Sequence, residues 1–197
     1  SRLWHAPPAS IHVDGKPRAD GVRDFLASRH LTLPEGGADD PPDEQTVWTV
    51  GNRKNTLLLE RIHHDGVNVY DGSRRYLAAA RDAGLHRVVV SSSANTADIL
   101  RVTGLGEFVE GRVDGTTLAA EHLAGKPAPD SFLAGAALAG VRPEHAAVFE
   151  DALVGVQAGR GGGFGYIVGV NRLDDAHGTA LLQHGATIVV RDLEELL

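Results

Sequence analysis

Arg87-Val88-Val89-Val90-Ser91-Ser92-Ser93-Ala94-Asn95 decides the fold of this 197-residue chain. A short, continuous run of β-branched residues is the kind of strand that a parallel sheet buries on both faces. It breaks into three hydroxyl residues, and a helix opens near Asn95. The same plan recurs downstream. Ala146-Ala147-Val148-Phe149 reads as a second buried strand, ending at Glu150-Asp151 before a helix over Leu153 to Arg160. Strands are also predicted over Phe108 to Val113, Tyr166 to Val170 and Thr187 to Val190. Between them fall amphipathic helices over Gly72 to Ala83, Asn95 to Val102 and Asp130 to Ala139, closed by Gly84, Gly104 and Gly140. From Asp71 onward this alternation of strand and helix predicts an α/β fold with a doubly wound parallel sheet.

The residues before that differ. Asp20 to Ser28 and Thr46 to His64 read as helices, separated by the turn-rich Leu33-Pro34-Glu35-Gly36-Gly37 and Asp39-Asp40-Pro41-Pro42. The expected organisation is a small helical module over 1–68 and an α/β core over 69–197.

Composition narrows the function. Net charge is −7 and the pI about 5.8, which argues against a dedicated binder of nucleic acid or anionic membrane. An acidic chain must grip an anionic substrate with a few placed cations, and Lys16, Lys54 and Lys126 are its only lysines. No cysteine is present, which excludes disulfides, thiolate metal sites and cysteine nucleophiles. No apolar run is long enough to cross a bilayer and the N-terminus carries no signal-peptide pattern, so a soluble, cytoplasmic protein is expected. A monomer or weak homodimer is the expected state. The chain starts at Ser1 and contains no methionine.

Three motifs carry the chemistry. In open parallel sheets ligands bind beyond the carboxyl ends of the strands. Ser91, Ser92 and Asn95 stand there, where hydroxyls and free helix-N-terminal amides make an anion site; the plainer alternative is that Ser93 or Asn95 caps the helix. Lys126 lies in Gly125-Lys126-Pro127-Ala128-Pro129-Asp130, a segment stiffened by Pro127 and Pro129. Both prolines follow the lysine; it is either an aimed charge or a solvated loop lysine. Glu150 and Asp151 end a strand, and carboxylate oxygens are what Mg²⁺ prefers. Consecutive strand residues point to opposite faces, so Asp151 is assigned as the direct ligand and Glu150 as its support; the alternative is capping of the next helix.

Other patterns have plainer readings. Gly159-Arg160-Gly161-Gly162-Gly163-Phe164-Gly165 follows a helix and precedes a strand, the reverse of a dinucleotide fingerprint. His63-His64-Asp65 reads as a solvated helix end, and Asp39-Asp40 as loop charge.

In order and placement these motifs resemble the haloacid-dehalogenase phosphotransferase superfamily, in its β-phosphoglucomutase-like branch. Ser91 matches the second motif, Lys126 the third and Glu150-Asp151 the fourth, followed by Gly155-Val156-Gln157-Ala158-Gly159. Asp14 to Val22 resembles the cap segment whose arginine grips a distal phosphate, which implies that role for Arg18. Arg53-Lys54-Asn55 resembles the cap's contacts to substrate hydroxyls, which implies Lys54 and Asn55. The resemblance implies a Rossmann-like core, a helical cap, Mg²⁺ and an aspartyl-phosphate intermediate on a phosphosugar, with mutase and phosphatase chemistry equally open.

One part is missing. The family's first motif, Asp-x-Asp-Gly, supplies the nucleophile from a strand placed mid-sheet, and no such motif occurs in these residues. Arg112-Val113-Asp114-Gly115 and His12-Val13-Asp14-Gly15 imitate it, with arginine or histidine where the nucleophile belongs. His5 is at most a remnant of the helix that follows that motif. Without the strand, two parallel edges would be left with unpaired amides and carbonyls. The sequence is therefore expected to be incomplete relative to the molecule that folds. The competing expectation is a non-catalytic phosphosugar-binding protein that has lost its nucleophile.

Overall fold

The structure is a computed structural model that describes residues 18–197; His5 and the His12-Val13-Asp14-Gly15 stretch lie outside them. The chain divides into two compact units, one ending at Asp65 and the other beginning at Gly66.

In the first unit α1 (Arg18–Ser28) packs against α2 (Val47–Asp65), burying Val22, Val47 and Ile62. The connection between them is tied by Asp40. Its Oδ2 accepts from the Gly37 amide (2.8 Å) and from Thr46 Oγ1 (2.9 Å). The acidic pair read as loop charge thus contains a structural staple.

The second unit has the α/β architecture expected. Its elements are α3 (Asp71–Asp82), β1 (Val88–Val90), α4 (Thr96–Thr103), β2 (Gly111–Val113), α5 (Gly115–Ala120) and α6 (Asp130–Leu138). There follow β3 (Ala147–Glu150), α7 (Leu153–Gly161), β4 (Tyr166–Val170), α8 (Asp175–His184) and β5 (Ile188–Val190). All strand pairs are parallel. Phe108 differs from expectation. It closes a 3-10 turn, Leu105–Phe108, rather than opening a strand, and the ladder begins at Gly111. The left-handed Gly104 that ends α4 feeds straight into that turn.

The strands form two sheets, β1-β2 and β3-β4-β5. Among the described residues β1 and β3 therefore each keep one edge without a partner strand. A cavity of about 580 Å³ is lined by Val88, Val89 and Val90 of β1 and by Ala147, Val148 and Phe149 of β3. This corrects the prediction of a fully buried first strand: Val88, Val89 and Val90 are only half-buried, because nothing described covers that edge. The best-covered core lies on the other side, where Val156, Ile167 and Leu181 pack between α7, β4 and α8.

Candidate active site

Lys126 and Glu150 form the centre of the site. Lys126 Nζ donates to Glu150 Oε2 at 2.6 Å, and the two residues are only 7% and 9% exposed. The lysine is therefore not a solvated loop residue. Its ammonium also lies 4.5 Å from the centre of the Phe132 ring, a cation–π contact that α6 supplies. Phe132 packs with Val148 and Ala158, and Val90, the residue before Ser91, packs on that same cluster. The lysine loop and the ends of β1 and β3 are thus tied together by one aromatic ring and its neighbours.

Glu150 is committed on both oxygens. Besides Lys126, it accepts from the Ala152 amide at 3.1 Å through Oε1. Burial pushes its carboxyl above the ordinary carboxylate range, against the pull of Lys126. Gly155 leaves room for it: a Cβ there would fall 2.1 Å from the Glu150 carboxyl carbon. Two carbons cannot approach so closely, so the first turn of α7 needs glycine where it passes over the ion pair.

Asp151 is placed differently. It follows the end of β3, is exposed, and its carboxylate makes no hydrogen bond or ion pair among the described residues. Its backbone carbonyl accepts from His177 Nε2 at 2.8 Å. Glu150 is thus buried and Asp151 exposed, and the two carboxylates stand in different surroundings.

Ser91 follows β1 and is held by Val113, whose carbonyl accepts its amide at 2.9 Å. The loop after it is locally braced. The Ser93 amide donates to Ser91 Oγ at 3.1 Å and the Asn95 amide to Ser93 Oγ at 3.1 Å. Asn95 is buried at the N-cap of α4 without a side-chain capping bond, while Ser93 Oγ accepts the Asn95 amide. Ser92 is half-buried in the same loop.

Asp114 was read as an imitation of a nucleophile, and the structure gives it another task. It is 1% exposed and caps α5, accepting from the Thr116 and Thr117 amides in a reciprocal box with Thr117. Burial opposes its charge. Bonds from Thr116, Arg112 and the two amides outweigh that and hold its carboxyl below the ordinary range. Gly115 beside it lies against the loop after β1, donating from its amide to the Ser93 carbonyl at 3.1 Å.

In the first unit Arg18 donates from Nη1 to Asn52 Oδ1 at 3.1 Å and packs along Gly51. Arg53 donates to the Pro42 carbonyl at 3.0 Å, Lys54 is exposed, and Asn55 is half-buried. His63-His64-Asp65 is a solvated helix end, with His64 Nδ1 2.7 Å from Asp65 Oδ1. No group of three or more histidine, aspartate or glutamate side chains among the described residues is placed to hold a metal alone. Sequence reasoning missed His177. It belongs to α8, a helix that the strand-to-strand rhythm required between Val170 and Thr187 but whose residues carried no motif.

No helix among the described residues is long and apolar enough to cross a membrane. Residues 10–163 match the profile of a hydrolase family described as haloacid dehalogenase-like hydrolase. A β-phosphoglucomutase of Mycobacterium tuberculosis is 58% identical over 194 residues, spanning 97% of this chain and 74% of that protein. A crystal structure of β-phosphoglucomutase from Clostridium difficile superposes with a TM-score of 0.76 over 96% of this chain and 77% of that one. At 20% identity that likeness speaks for the fold. A haloacid-dehalogenase family hydrolase from Deinococcus radiodurans, solved with bound phosphate and sodium, is 29% identical with a TM-score of 0.61, covering 90% of this chain and 72% of that one. The chain therefore belongs to the haloacid dehalogenase-like hydrolases, in the β-phosphoglucomutase-like branch, and is an enzyme of their phosphatase and mutase type.

Proposed function

We propose that the protein transfers a phosphoryl group on a sugar phosphate, with Mg²⁺ as cofactor and an aspartyl-phosphate as intermediate. The observation that carries this reading is a buried Lys126 paired with Glu150 at the end of β3, where the next residue, Asp151, is exposed. The 58% identity to a β-phosphoglucomutase makes glucose phosphates the first substrates to try.

The residues present suit Mg²⁺, which is usually held by one or two carboxylates together with substrate phosphate and water. Asp151 supplies the free carboxylate, and Glu150, taken up by Lys126 and Ala152, supports from behind. The ion, when bound, neutralises charge on the transferring phosphoryl group. Lys126 presents its ammonium to that group from the opposite partner of the Glu150 pair. At an effective dielectric of about 20, a cation about 4 Å from a phosphate oxygen contributes about 4 kcal/mol. Ser91 donates its hydroxyl proton to a phosphoryl oxygen while its own Oγ stays fixed by the Ser93 amide. Arg18 anchors a second phosphate, and Lys54 and Asn55 meet sugar hydroxyls.

The nucleophilic aspartate belongs, on this reading, to a strand seated between β1 and β3. The two partnerless edges and the apolar cavity between them support that placement. A cytoplasmic setting agrees with the absence of cysteine.

The test is ³¹P NMR of the full-length gene product with β-glucose 1-phosphate and Mg²⁺. Glucose 6-phosphate identifies a mutase and inorganic phosphate a phosphatase. Turnover of neither this ester nor other sugar phosphates would overturn the proposal.

A further inference from the structure

We infer that His177 is a positioning residue for Asp151, acting through the Asp151 backbone; the inference rests on the reading of Asp151 as the metal-binding carboxylate. The bond is Nε2 to the Asp151 carbonyl, 2.8 Å. A carbonyl oxygen only accepts, so Nε2 carries the proton.

The neighbours of Asp151 are fixed by other means. Glu150 is held by Lys126 and by the Ala152 amide, and the Ala152 carbonyl takes the amides of Gly155 and Val156 at the start of α7. Between these two anchored residues, the peptide plane that follows Asp151 sets the direction in which its carboxylate leaves the chain. Glu150 Oε1 holds that plane on its amide side and His177 Nε2 on its carbonyl side.

It acts from a rigid base. The His177 amide donates to Asp174 Oδ1 at 2.8 Å, the N-cap bond of α8. The Asp174 carbonyl accepts from Asn171 Nδ2 at 2.8 Å, and the Leu173 amide donates to Asn171 Oδ1 at 3.1 Å. Asn171 is buried and its amide donates to the Val190 carbonyl at 2.7 Å. The end of β4 therefore carries a braced loop that aims one imidazole at the end of β3. Capping α8 requires only the backbone amide of residue 177, so the ring's reach to Asp151 is a separate feature.

The experiment titrates Mn²⁺ into the full-length gene product and follows binding by electron paramagnetic resonance, for the native protein, His177→Ala, His177→Gln and Asp151→Asn. Partners that orient a metal ligand from outside are worth about 10–100-fold in metal affinity. His177→Ala should weaken Mn²⁺ about 10-fold and raise the KM for Mg²⁺ more than it lowers kcat at saturating Mg²⁺. His177→Gln, whose side-chain amide can donate to the same carbonyl, should recover most of the affinity. Unchanged Mn²⁺ affinity in His177→Ala, with Asp151→Asn clearly weakened, overturns the inference alone. Equal weakening in the alanine and glutamine variants, alongside an equal loss of Tm, makes the role merely structural and also overturns it. If Asp151→Asn binds Mn²⁺ normally, the underlying reading of Asp151 fails instead.

Discussion

At the scale of single residues, Lys126 is where function and stability meet. Removing one partner of a buried ion pair leaves the other charge without compensation, at a cost of about 3–5 kcal/mol. Lys126→Ala should therefore lower Tm as well as reduce kcat by orders of magnitude, and stopped assays together with thermal melts would separate the two losses. The pH dependence follows from Glu150, whose folded carboxyl is raised by burial above its ordinary value. A raised carboxyl holds its proton more tightly folded than unfolded, so its contribution to stability is full at low pH and lost as pH rises through the raised value. In Lys126→Ala the opposing pull of the lysine is gone and the carboxyl rises further. The stability gap between native and variant protein should then widen as pH rises above the ordinary carboxylate range. A constant gap over that rise would mean Glu150 does not carry the loss. Lys126 and Asp151 stand out as candidates in the sequence because one is followed by two prolines and a helix and the other ends an apolar run before a helix start. Their division of labour was not legible. Which carboxylate the lysine occupies depends on Gly155 and Ala152 closing over Glu150, and no spacing rule reports that.

At the scale of elements, the strands and most helices were legible because each apolar run is bounded by glycine, proline or a polar turn. Tyr166 to Val170 is observed with the predicted bounds. The failures have local causes. Phe108 looked like a strand start because it precedes Val109, but Gly104 and Gly106 let the chain wind into a 3-10 turn first. The short α5 escaped notice because Gly115, Thr116 and Thr117 are poor helix formers, and it exists by virtue of its cap. Asp114 is thus the residue to test. Replacing an N-cap aspartate with alanine costs about 0.5–2 kcal/mol; burial and the Arg112 contact place Asp114→Ala at the upper end. Its carboxyl is held below the ordinary value, so the stability it contributes is present above that value and lost as pH falls through the lowered one. Urea melts should therefore show Asp114→Asn losing less stability between about pH 5 and pH 3 than the native protein does. A parallel loss would place the acid sensitivity elsewhere. Because Gly115 bonds Ser93, Asp114→Ala should also weaken phosphate binding, which calorimetry would read directly.

At the scale of the whole molecule, the informative feature is that, among the described residues, the sheet comes apart between β1 and β3. A parallel edge carries amides and carbonyls that need partners, and burying them without any is costly. Direction along β1 can be read from its ends. The Ser91 amide turns toward β2, so by strand alternation the amide of Val89 does as well, while those of Val88 and Val90 face the cavity. In β4, by contrast, both edges are paired, to β3 and to β5. Hydrogen exchange on the 197-residue chain should therefore find Val88 and Val90 exchanging far faster than Val168, by at least about a hundredfold if opening is local rather than global. A peptide able to form an apolar strand, added in trans, should slow both. The composition of the slot narrows what such a strand can be: Val88, Val89 and Val90 on one side and Ala147, Val148 and Phe149 on the other favour β-branched and aromatic residues along its middle. An acidic residue at the end nearest Ser91 would emerge beside it and the Lys126–Glu150 pair, where the proposed chemistry needs its nucleophile. Slow exchange at Val88 and Val90 in the chain alone would mean the edge is already bridged, and the nucleophile would then have to enter the site from some other direction.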